Sequence, residues 1–160
     1  MVQTFVLKSY DELQDVYDSV TEDFEDIDYT NWLLDEILRM TDFHRAMFRG
    51  RKDPTGTKWA KLRPATVRRK GHSRILEDTG RLKRSLTDLH SHTTGDAIRD
   101  LEQTQNGVTL RFGAFVEYGP YHDVPGPYGR PARRHVGINE DHLDGMVKRL
   151  ADHVVKELAK

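Results

Sequence analysis

Residues 106–119, NGVTLRFGAFVEYG, carry the clearest strand signal in the chain. Asn106–Gly107 is the dipeptide that accepts positive φ at the two centres of a tight hairpin turn. Val108, Leu110 and Phe112 then alternate with Thr109, Arg111 and Gly113, the period of two expected of a half-buried strand. The reading makes AFVEYG, residues 114–119, the antiparallel partner, with Gly113 at the bend.

Outward from this pair the spacing becomes helical or broken. Residues 119–134, GPYHDVPGPYGRPARR, are too rich in Gly and Pro for regular structure and read as one long loop. Asn139 then caps a last helix striped by Leu143, Met146, Val147, Leu150, Val154 and Leu158. Upstream, residues 91–107 read as a polar, exposed connection. Thr79 is the expected cap of a short helix bearing Leu82 and Leu86. Pro54, Gly56 and Pro64 mark residues 51–64 as loop. Thr30 or Asp28 would cap a helix that buries Trp32, Leu33, Ile37, Leu38 and Phe43 and stops near Gly50.

At the start, residues 2–7 suggest a short strand. Ser9 and Glu12 form a capping box for a helix bearing Leu13, Val16, Tyr17 and Val20. With no internal repeat and no linker, the chain reads as one domain, 29–160, behind an acidic N-terminal extension, 1–28. The class is α+β: a small antiparallel β-sheet packed against N-terminal and C-terminal α-helices, with long Gly/Pro-rich loops.

The chain has 160 residues, enough to bury a core. No run approaches the roughly 20 apolar residues of a membrane span, so no membrane partner is expected. The first residues lack the pattern of a secretory signal, and folding in a cytoplasm is the expectation. With no cysteine, disulfides and a thiolate nucleophile are excluded, and a structural zinc site is disfavoured.

A net charge of −1 conceals a division. Residues 1–46 hold three Lys or Arg against twelve Asp or Glu; residues 47–90 hold thirteen against four; the remainder is nearly neutral. Such asymmetry concerns partners and association. The basic half centres on KDPTGTKWAKLRPATVRRKG, residues 52–71. Lys58, Lys61, Arg63, Arg68, Arg69, Lys70, Arg74, Arg81 and Arg84 make it a candidate interface for protein or DNA. Trp59 beside the Pro–Gly turn reads as the ring that anchors this loop to the core.

Four chemistries compete for these residues. A phosphate-binding loop at GRKDPTGTK, residues 50–58, fails: the second glycine is one place late, Thr57 and Lys58 are reversed, and a helix precedes. A metal site drawn from His90, His92, His122 and His135, with Asp96 or Asp123, matches no ligand spacing. Glu77–Asp78, and Glu117 near His122, come with no nucleophile motif. No cofactor, no metal and no catalytic residue are therefore expected, and the protein reads as a non-enzyme. The basic run can neutralise several phosphates, but no DNA-reading module accompanies it. The matched charges of the two halves favour contact between acidic and basic faces, within one subunit or between neighbours.

Two blocks, taken in order, resemble the virion-morphogenesis or tail-completion family of tailed bacteriophages. The first falls on Pro54, Gly56, Trp59, Leu62, Thr66, Lys70, Leu76, Thr79, Gly80, Leu82 and Ser85. The second is the strand region followed by Tyr121, His122, Gly126, Pro131, Ala132, Arg133 and Gly137. His135 departs from it, standing where the family tends to have an aromatic residue.

The resemblance implies a structural virion protein, a neck component that completes the tail or joins it to the head. Such proteins assemble as rings, six-fold favoured over twelve-fold. Implied partners are further copies, neighbouring neck, connector or tail-terminator proteins, and double-stranded DNA in the channel. Tyr121, His122, Arg130, Arg133 and Arg134 then join the candidate interface. A non-enzymatic duplex DNA-binding protein using residues 58–84 is the alternative.

Overall fold

The strand at Gly107–Ala114 (β3) is the middle strand of a three-stranded antiparallel sheet. In the computed structural model, which describes residues 2–6, 27–90, 95–104 and 107–160, β2 (Ala97–Thr104) lies on one side and β1 (Val2–Val6) on the other. Phe5 and Leu101 both stand opposite Leu110, and Gly113 is paired on both sides, with Val2 and Ile98.

The partner of β3 is thus the segment expected to be a polar connection, and of residues 114–119 only Ala114 is in a strand, as the last residue of β3. Two residues explain the reversal. Arg99 occupies a core-facing position of β2, opposite Phe112, and a cation there hides the apolar alternation. Phe115 makes one further sheet-like bond, its N–H donating to the Asp96 carbonyl at 2.7 Å, before Gly119 N–H closes a turn on the Val116 carbonyl at 2.8 Å. The Asn106–Gly107 turn falls where the register closes, at Thr104↔Gly107; Asn106 lies outside the described residues, as does the helix expected from Ser9 to Val20.

Helix α1 (Thr30–Gly50) buries Trp32, Leu33, Ile37, Met40, Met47 and Phe48 in the shared core. Tyr29, and neither Thr30 nor Asp28, takes the capping position; the Asp28 carboxylate, one residue earlier, accepts from Thr30 N–H at 2.8 Å. Leu38, expected inside, is 45% exposed, while Glu36, Thr41 and His44 are fully buried. The helix runs through Gly50 and stops at Arg51, which takes the left-handed conformation (φ 53°). Lys52 N–H then donates to the Met47 carbonyl at 3.0 Å, the bond that closes many helix ends.

Helix α2 (Pro64–Lys70) was not foreseen: it buries no side chain, so its sequence shows no apolar stripe. Pro64 suits the first turn, where the missing N–H costs nothing, and Gly71 at φ 73° ends it. In α3 (Arg81–Thr87) the capping position is taken by Gly80 and not by Thr79, whose hydroxyl stands a long 3.4 Å from Arg81 N. The Gly/Pro stretch is irregular apart from one short turn, α4 (Pro120–Asp123), and a 3-10 turn at Pro127–Gly129. Asn139 caps α5 (Glu140–Leu158) through its side chain, which accepts from His142 N–H at 3.0 Å. Leu143, expected on the buried stripe of α5, is 38% exposed.

Helices α1 and α5 run antiparallel, marked by ring contacts at Phe43–His142 and Tyr29–His153 and between them the Glu36–Arg149 pair. The core is layered across β3. His44 from α1 stacks on Phe112 with centroids 4.9 Å apart, and the Arg99 guanidinium lies 3.7 Å from the same ring. Arg99 donates to the carbonyls of Ile98, Gly113 and Ser85. Burial pulls its pKa down to about 10.

His44 gives the fold a pH dependence. Its Nδ1 lies 2.7 Å from the Met40 carbonyl, which can only accept, so Nδ1 carries the proton of the neutral ring. Burial pushes its pKa down to about 4, against the pull of the Met40 carbonyl, with the Arg99 charge adding to the depression. The unfolded chain therefore binds more protons between about pH 6.5 and 4. Stability is full above that window and falls as pH drops through it, by about 3 kcal/mol. Urea unfolding near pH 5 should show a lower midpoint than at neutral pH. His44→Leu should make that fall shallower, leaving the part due to His122 and His142, which burial depresses too.

Candidate functional site

Trp59 is buried, its ring edge-on to Phe48 with centroids 5.3 Å apart. Its indole N–H donates to the Arg134 carbonyl at 2.9 Å. Arg133, itself buried, donates from Nε to the Ala60 carbonyl and from Nη2 to that of Lys61. The loop of residues 51–63 and the segment after Pro131 are thus stitched together although more than seventy residues separate them. Asp123 fixes the far side: one of its oxygens accepts from His135 N–H at 3.2 Å and lies 2.9 Å from His135 Nδ1.

Between the two segments opens a cleft of about 550 Å³. Among the described residues Arg63, Arg69, Lys70, Arg130 and Arg133 line it, with Asp78 as the one carboxylate. Among the described residues none of the five cations lies within ion-pair distance of a carboxylate. Arg63 donates to the Tyr128 carbonyl at 2.5 Å, Arg130 to that of Tyr121, and Lys70 to that of Arg74 at 2.9 Å. Carbonyls orient these groups without cancelling their charge. Burial pulls the Lys70 ammonium and the Arg133 guanidinium below their usual pKa values; the Asp78 carboxylate opposes this at Lys70 while Arg69 adds to it, and Arg130 adds to it at Arg133.

The walls between the cations are apolar: Leu62, Leu76, Tyr118, Pro127, Tyr128 and Pro131. Two of these residues adopt left-handed backbone without being glycine, Leu76 at φ 56° and Tyr128 at φ 58°. For bulky side chains that conformation costs on the order of 1–2 kcal/mol. At Tyr128 it holds a ring 92% exposed at the mouth of the cleft. His122 also faces the cleft. Burial first, then the charges of His135, Arg130 and Arg133, push its pKa to about 4, so near neutral pH it offers a polar ring and no charge.

Of the residues singled out in the sequence, Arg63, Arg69, Lys70, His122, Arg130 and Arg133 are brought together here. Lys58, Lys61, Arg68, Arg74, Arg84, Tyr121 and Arg134 are exposed and do not line the cleft. Trp59 is a strut beneath it. Arg81 is already engaged, holding Asp96 in a fork at 2.8 and 2.6 Å and Glu117 at 2.9 Å. Those bonds raise its pKa, Asp96 more than Glu117. Sequence reasoning missed Tyr118 and Tyr128; the latter sits in a GPYG turn, the sort of setting that presents a side chain outward.

The other chemistries find these surroundings. Glu77 pairs with Lys83 at 3.1 Å. His122 and His135 lie with ring centroids 6.4 Å apart, but Asp123 is committed to His135. Among the described residues no three His, Asp or Glu side chains converge as a metal site would require, and no helix is long and apolar enough to cross a membrane. His92 lies outside them. No family model matches the chain, and no curated protein or solved structure matches it either.

Proposed function

We propose that this chain is a non-catalytic assembly subunit of a tailed-phage virion, a neck or tail-completion component that joins tail to head within a ring of identical copies. The observation that carries the reading is the cleft. Among the described residues it gathers five cations, one carboxylate and an apolar wall from the two sequence blocks that resemble the tail-completion family. Trp59 and Arg133 hold those blocks together, and Asp123 braces the second block internally through His135. Exposed Phe115, Tyr121, Val124 and Tyr128 follow on the same stretch of chain. Cations beside the exposed Tyr128 suit a surface that a protein partner covers.

Reversing Arg68, Arg69 and Lys70 together to glutamate is expected to stop particle assembly in a virion-reconstitution assay. The thermal unfolding of the purified chain should change little, because α2 buries no side chain. Assembly at the wild-type yield would sink the docking role of this helix.

The exposed arginines of α2 also favour a second reading, contact with duplex DNA. Fluorescence anisotropy with a short labelled duplex decides between them. Tight binding that collapses with salt would place these cations on phosphates. No binding at low salt leaves protein docking as their role.

A further inference from the structure

The ends of the α1/α5 pair differ in a way that identifies an occupant for the cleft. Ile27 is buried, and the Asp28 carbonyl lies 2.9 Å from His153 Nε2. The chain is therefore held at the N-terminal end of α1. The cleft lies at the opposite end. Trp59 packs on Phe48 near the last turn of α1, and Arg133 comes nine residues before His142, which meets Phe43. At a rise of about 1.5 Å per residue, Tyr29 and Phe48 stand about 28 Å apart along the helix.

Immediately before Ile27 the sequence reads TEDFED, residues 21–26: four carboxylates, no cation and one phenylalanine. The cleft offers the complement, among the described residues five cations against one carboxylate with tyrosine, leucine and proline walls. Chain length forbids their meeting within one subunit. Phe24 is three residues from Ile27 and reaches at most about 10 Å from it, well short of the far end of the helix.

We propose that residues 21–26 of one copy dock in the cationic cleft of the next, with Phe24 against the apolar wall and the flanking carboxylates on Arg69, Lys70 and Arg130. Such a contact joins two different surfaces, the tail end of one subunit to the head end of another. Heterologous contacts of this kind close into rings when the rotation per subunit divides a full turn. The inference rests on the self-assembly reading and supplies its contact.

The test has two arms on the full chain. In the first, a fluorescent peptide of residues 21–26 is titrated onto the protein at low salt. Saturable binding is expected, weakened at least about tenfold by Arg69→Glu with Lys70→Glu and by raising salt, and weakened also by Phe24→Ala in the peptide. No saturable binding overturns the proposal, and so does a bound duplex DNA that the peptide cannot displace.

In the second arm, oligomeric state is compared for the wild type, the Arg69→Glu/Lys70→Glu chain, a Glu22→Lys/Asp23→Lys/Glu25→Lys chain, and the chain carrying both sets. Loss of assembly in each set alone and its return in the combination support the contact, since a misfolded variant is not rescued by a second reversal. A wild type that assembles, with both single sets assembling equally, overturns this contact and leaves ring assembly through another surface. A wild type that stays monomeric while the peptide binds supports the cleft's preference and removes the ring.

Discussion

Arg149→Ala is expected to destabilise the fold by about 3–5 kcal/mol, the cost of stranding a buried charge whose partner is removed. Glu36 is fully buried on α1, and Arg149 from α5 grips it with two parallel bonds, Nε to Oε1 at 2.5 Å and Nη2 to Oε2 at 2.8 Å. The hydrogen bond to Glu36 raises the Arg149 pKa. Among the described residues Arg39 is the other cation near the carboxylate, at 3.5 Å on a side chain half exposed to water, and it cannot replace a fork. Replacing both partners, Glu36→Leu with Arg149→Met, should recover most of the loss, because no charge is then left buried. A urea midpoint that hardly moves for Arg149→Ala would show that α1 and α5 are held by apolar packing alone.

Phe112→Ala is the second large effect, expected at about 3–5 kcal/mol. The ring is completely buried on the central strand, with His44 stacked on one face and Arg99 against it at 3.7 Å. Truncation leaves a cavity and removes the π face that a buried guanidinium rests on, a loss additional to area. The urea midpoint should fall with the slope unchanged. A loss below about 1 kcal/mol, the size of a typical surface change, would mean that the sheet and α1 do not share this layer.

These two sites also show what the sequence could and could not reveal. The helices α1 and α5 were legible because their apolar residues recur at helical spacing, and Asn139 announces its cap. The sheet was legible on β3 and misread on its partner, because Arg99 sits where alternation calls for an apolar side chain. Helix α2 buries nothing and left no periodic trace. Gly145, in the middle of α5, looks like a weak point. A Cβ there would stand 2.9 Å from Arg149 Nη1, so the glycine makes room for the guanidinium that reaches Glu36. No local pattern announces that, since Glu36 lies more than a hundred residues away.

The candidate site was legible as composition and not as geometry. Counting charges finds Arg63, Arg69 and Lys70, and the Gly/Pro loop supplies Arg130 and Arg133. That Trp59 and Arg133 stitch the two stretches together depends on backbone carbonyls of Arg134, Ala60 and Lys61, which carry no residue-specific signal. Nor does sequence alone separate Arg81, neutralised by Asp96 and Glu117, from Arg69, which meets no carboxylate among the described residues.

The central claim is that the chain assembles with copies of itself through complementary charge. Sedimentation velocity of the untagged full-length protein, across a concentration series at low and moderate salt, tests it most directly. The account predicts a discrete closed oligomer at low salt that dissociates as the cleft is screened. A single monomeric boundary at every concentration, at low salt as well as moderate, would contradict it.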